Sequence, residues 1–109
     1  MATATDEKLT RRTTKILAIG KVDEPITPQQ RAAIMPQEVP DTVRLYLDGV
    51  IDQWFGRPDG KGVVFILNLT SLDQAHTYLS ALPLAKEHLM NFELIELGPL
   101  FPLRLLLTQ

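Results

Sequence analysis

Between Gly49 and Leu84 the chain carries a hairpin followed directly by a capped helix, and few folds of this size accommodate that unit. Val50 to Arg57 reads as a strand, Pro58-Asp59-Gly60 as a tight turn, and Gly62 to Thr70 as a second strand rich in β-branched residues. Proline pre-sets the first corner of such a turn, and glycine tolerates positive φ. Ser71 then caps a helix, with Gln74 three residues on completing a capping box. Leu72, Ala75, Leu79 and Leu82 fall on one face of it, and Pro83 helps to end it.

Upstream, Lys15 to Asp23 alternates. Ile16, Ala18, Gly20 and Val22 point one way, and Leu17, Ile19, Lys21 and Asp23 the other. The first set suits a face beneath helices; the second opens toward solvent or a cleft. Thr27 is an N-cap with Pro28 at the first helical position. Pro36 and Pro40 are expected to split that helix into two pieces. The second piece carries a stripe of Val39, Val43, Tyr46 and Leu47 and closes at Gly49. After a loop through Lys86-Glu87-His88, Met90 to Leu97 forms the last strand, stopped by Gly98-Pro99. Strand-helix-strand-strand-helix-strand is the order of the α+β, ferredoxin-like βαββαβ sandwich. Residues 15–100 form that domain, residues 1–14 a polar disordered tail, and residues 101–109 an apolar arm expected to pack on its own domain or a neighbour.

At 109 residues there is one domain, and a net charge of -2 offers a nucleic-acid backbone nothing. Cysteine is absent, which removes disulfides, thiolate metal sites and a cysteine nucleophile. No stretch is long and apolar enough for a membrane helix, and the opening residues lack the apolar region of a secretory signal. The expectation is a cytoplasmic protein without cofactor, membrane or nucleic-acid partner. Two histidines twelve residues apart, His76 and His88, match no zinc spacing.

In such a sandwich the helices cover one sheet face only. The bare face holds Leu17 and Ile19, and each such side chain buried is worth about 1.5–3 kcal/mol. A second copy is the simplest cover, giving a homo-oligomer with a small-molecule space between the two sheets. Proton transfer in that space needs a base and a cation or donor for the oxyanion. Lys21 and Asp23 supply both on one strand face, or simply form a solvated strand end. Glu93 shares its face with Ile95 and Leu97, where a buried carboxylate would suit acid–base work. Gln53, Phe55 and Arg57 share one face of the second strand, with Asp52 and Trp54 on the other. Whichever face lines the cleft gives an aromatic wall, with Arg57 able to grip a carboxylate. His88 is free to approach the cleft mouth, whereas His76 flanks an apolar stripe and reads as structural.

The helix Ser71-Leu-Asp-Gln-Ala-His-Thr-Tyr-Leu-Ser-Ala-Leu-Pro-Leu84, the ending Glu96-Leu97-Gly98-Pro99-Leu100 and the glycine at Gly49 resemble the muconolactone isomerase family. The resemblance spans roughly residues 15 to 100 and is specific between Ser71 and Leu84. It implies a dimeric α/β barrel, assembled further in many members, and a cofactor-free proton shift in a small unsaturated lactone. Two departures weigh against carrying the reaction over. Ile19 and Lys21 stand where the family has His and Arg, and Ile51-Asp-Gln-Trp-Phe-Gly56 replaces a basic, histidine-bearing strand. Two functions therefore compete. One is a cofactor-free isomerase or cyclase on a small organic acid or lactone, using Lys21, Asp23 and Glu93 for chemistry and Gln53, Trp54, Phe55, Arg57 and His88 for binding. The other is a non-catalytic ligand-binding or assembly module of the same architecture.

Overall fold

A computed structural model describes residues 12–100 and residue 107. The tail up to residue 11 and the apolar arm, Leu107 apart, lie outside the described residues. The elements are β1 (Lys15–Lys21), α1 (Pro28–Leu47), β2 (Ile51–Gly56), β3 (Gly62–Leu67), α2 (Leu72–Ser80), α3 (Pro83–Lys86) and β4 (Asn91–Leu97). The strands form one sheet in the order β2-β3-β1-β4, and every neighbouring pair is antiparallel. This is the α+β ferredoxin-like sandwich, with the short α3 added where a loop was expected.

Local chemistry accounts for most boundaries. Thr27 accepts from the Gln30 amide at 3.1 Å while Gln30 Oε1 accepts from the Thr27 amide at 2.9 Å, closing a capping box on α1. Ser71 caps α2 through the Gln74 amide. Gly49, at φ +82°, takes the left-handed turn just past α1. In the β2–β3 turn, Asp59 accepts from the Lys61 amide at 2.9 Å and from Arg57 at 2.7 Å. The Lys61 amide first, and Arg57 with it, hold the Asp59 carboxyl below its ordinary range. Its support for the turn is thus present at neutral pH and fades as pH falls through that lowered value.

Helix α1 corrects one expectation. It runs unbroken from Pro28 to Leu47 with Pro36 and Pro40 inside it. Both prolines lie on the exposed side, where water can take the carbonyls of residues 32 and 36 that lose their amide partners. The continuity also shifts the helix phase. The inward residues are Met35, Glu38, Thr42 and Leu45, whereas Val39, Val43, Tyr46 and Leu47 are all exposed, Leu47 by 75%. A charged residue therefore sits in the middle of the buried stripe.

The core joins Ile16 and Ala18 of β1, Phe65 and Leu67 of β3 and Ile51 of β2 to Ala75, Leu79 and Leu82 from α2 and beyond it. β2 reaches this face through an irregularity between Ile51 and Gln53. Ile51 lies opposite Leu67 and Trp54 opposite Phe65, so both face the helices, while Gln53 and Phe55 lie opposite Ile66 and Val64 on the bare side. Lys15 bridges to Asp52 at the irregularity, 3.4 Å away. The bare face carries Leu17, Ile19, Val64, Ile66, Phe55, Ile95 and Leu97; Phe55 is 54% and Ile95 39% exposed.

Candidate functional site

Between α1 and the helix-side face of the sheet lies a cavity of about 420 Å³. Met35, Glu38, Val39, Thr42 and Val43 form its roof on α1. Trp54 and Gly56 of β2, Val63 and Phe65 of β3, and Phe92 of β4 form its floor; Leu84 and Met90 also line it, and Phe55, whose register places it on the bare face, borders it at the β2 edge. Gly20 keeps that floor low: a Cβ there would stand 2.8 Å from Phe92 and 2.9 Å from the Met90 sulfur. Trp54 is fixed by Tyr46, whose ring stacks on it at 4.4 Å and 10°.

Among the described residues, Glu38 is the one ionisable side chain on this wall. It is 9% exposed and held at both ends. Oε1 accepts from the Leu84 amide at 2.8 Å, so the carboxylate caps the first turn of α3, which has no side-chain cap of its own. Oε2 lies 3.2 Å from Thr42 Oγ1. That hydroxyl has a single proton and a shorter bond, 2.8 Å, to the Glu38 carbonyl. Oε2 therefore keeps lone pairs to offer a ligand. Capping explains one oxygen of Glu38; the other has only the longer contact with Thr42, on a side chain that lines an apolar cavity wide enough for a ring.

The residues singled out from sequence are dispersed. Trp54 and Phe55 line the cavity. Gln53 points to the bare face opposite Ile66, and Glu93 stands there opposite Ile19. Lys21 ends β1 opposite Asn91, two residues from Glu93 along the β1–β4 pairing. Asp23 accepts from the Asn91 amide group at 2.6 Å and lines a separate pocket with His88. Arg57 is engaged by Asp59 at 2.7 Å. His88, at φ +58°, makes the left-handed turn that ends α3. Lys21, Arg57 and Glu93 thus do not meet on this cavity. Glu38 was missed, although its spacing from Met35, Thr42 and Leu45 marks it as inward once α1 is taken as continuous. No group of three or more His, Asp or Glu among the described residues is placed to hold a metal, and no described helix is long and apolar enough to cross a membrane.

A four-stranded antiparallel sheet with its helices on one side gives the protein a muconolactone isomerase-like fold. In particular, the chain superposes on a muconolactone isomerase with a TM-score of 0.67 at 18% identity, over 81% of this chain and 92% of that one. It also matches the 5-chloro-2-hydroxyhydroquinone dehydrochlorinase TftG of Burkholderia phenoliruptrix, solved with 2,5-dihydroxybenzoquinone. There the TM-score is 0.58 at 18% identity, over 76% of this chain and 93% of that one. At such identity the likeness is one of fold. No family model and no curated protein sequence matches the chain.

Proposed function

We propose that this protein is a cofactor-free isomerase or cyclase that shifts a proton beside the carbonyl of a small, lactone-like ring, with Glu38 as the base. The carrying observation is a buried carboxylate on the wall of an apolar, ring-sized cavity, with one oxygen anchored by a backbone amide and the other contacted by the Thr42 hydroxyl alone among the described residues. In the simplest turnover Glu38 Oε2 takes a proton from the carbon next to the carbonyl. The electron pair of that C–H bond forms a double bond to the carbonyl carbon as the carbonyl π pair moves onto oxygen, which gives a dienolate conjugated with the existing double bond. The protonated Glu38 then returns the proton to the far end of the dienolate, so the double bond moves and no atom is gained or lost.

The test uses α-angelica lactone, a β,γ-unsaturated lactone whose conjugated isomer differs only by this proton shift. The wild-type protein is expected to speed the isomerisation, followed by absorbance, above the buffer rate and in proportion to its concentration. A rate equal to buffer, with the lactone shown to bind, would mark a binding module instead.

The bare sheet face supports a second element of the proposal, a homodimer formed sheet to sheet. Exposed Phe55 and Ile95, with Leu17, Ile19, Val64 and Ile66 between them, make an apolar surface of the kind that a partner covers. Ile66→Glu places two like charges in a symmetric interface. It is expected to raise the dimer dissociation constant by at least about 100-fold, since an unpaired buried charge costs several kcal/mol. Sedimentation velocity checks this; a wild-type protein that sediments at 12.2 kDa at every concentration would remove the interface.

A further inference from the structure

We infer that the ligand of the helix-side cavity is an uncharged, planar ring bearing one hydroxyl or carbonyl group, and that carboxylate-bearing rings are excluded. The inference rests on the proposed site and narrows its substrate class from acids and lactones to neutral compounds.

The wall decides it by its chemistry. Three aromatic side chains on the helix-side face, Trp54, Phe65 and Phe92, and two methionines, Met35 and Met90, line a space of about 420 Å³, the size of a one- or two-ring molecule. Flat rings and thioethers favour a planar guest through stacking and sulfur–aromatic contact. Among the described residues no Lys, Arg or His lines it. Every candidate cation lies elsewhere: Lys21 at the end of β1, Arg57 on Asp59, Lys15 on Asp52. A ligand carboxylate set beside the buried Glu38 would thus find no basic partner on the wall and would meet a like charge. A hydroxyl on an sp² carbon faces the opposite situation, since it can donate to Glu38 Oε2 and leave the remainder of the ring in apolar contact.

The experiment compares 4-ethylphenol, a flat neutral mimic of a dienol, with 4-hydroxyphenylacetate, the same ring carrying a carboxylate. Trp54 reports binding: it is the protein's single tryptophan and lies on the cavity wall. At pH 7, 4-ethylphenol is expected to quench its emission with a dissociation constant at least tenfold lower than that of the anion. Val39→Lys puts an ammonium at the rim on an exposed helix position and is expected to tighten the anion at least threefold. Equal or tighter binding of the anion to the wild type, or no quenching by either probe, would overturn the inference. The two readings fail separately. Turnover of α-angelica lactone by a protein that prefers the anion sinks the ligand class alone, and tight 4-ethylphenol binding without turnover sinks proton transfer alone.

Discussion

Glu38→Gln is expected to lower the turnover of α-angelica lactone by about 10²- to 10⁴-fold, the usual worth of a positioned general base. The substitution keeps the shape of the side chain and the acceptor that caps α3, because the amide oxygen still receives the Leu84 N–H. What it removes is the lone pair able to hold a proton. Tm is therefore expected to move little, and 4-ethylphenol is expected to quench Trp54 still. Glu38→Leu provides the contrast. It strands the buried Leu84 amide and is expected to cost about 1–3 kcal/mol of stability as well as activity. Kinetics on both variants, beside thermal denaturation, separate the capping oxygen from the proton-carrying one. Full turnover by a folded Glu38→Gln protein would dismiss Glu38 as the base.

The second large effect falls on the fold. Gly62 opens β3 directly against β1, and a Cβ at this position would lie 1.8 Å from the carbonyl oxygen of Gly20, in rigid backbone. Its φ of +155° adds a conformation that residues with side chains avoid. Gly62→Ala must therefore push β1 and β3 apart beside the cavity floor, and is expected to cost at least about 3 kcal/mol. For a domain of this length that is a fall of roughly 10 °C or more in Tm. Gly60→Ala is the control: its φ is +74°, but nothing stands within 4 Å of the added carbon, so only about 1–2 kcal/mol of local strain is expected. Equal melting of the two variants would show that the close approach of β1 and β3 carries no weight.

The fold was legible because its signals are local. Thr27-Pro28, Gly49, Pro58-Asp59-Gly60 and Ser71 each fix a boundary through their own backbone chemistry, and the structure keeps all four. Alternation in β1 likewise sorted Ile16 and Ala18 from Leu17 and Ile19. The site was less legible, for two physical reasons. Prolines such as Pro36 and Pro40 break helices when the carbonyls they free are buried, and here the residues that carry those carbonyls, 32 and 36, are exposed. Treating α1 as broken restarted the periodicity at Val39 and hid Glu38. The irregularity at Ile51/Gln53 then shifted the alternation of β2 after Ile51, a displacement seen only in the pairing with β3 and not written in β2 itself. Trp54 consequently joins the helix-side cavity, while Gln53, its neighbour in sequence, faces away with Glu93.

These assignments converge on one location, the space under α1 rather than the surface that two sheets would share. A crystal structure with 4-ethylphenol bound locates the ligand directly. The expected result is a ring between Trp54 and Phe92 with its hydroxyl oxygen about 2.5–3.0 Å from Glu38 Oε2. Density for the ring among Leu17, Ile66 and Glu93 on the bare sheet face, with the space under α1 closed, would contradict the account.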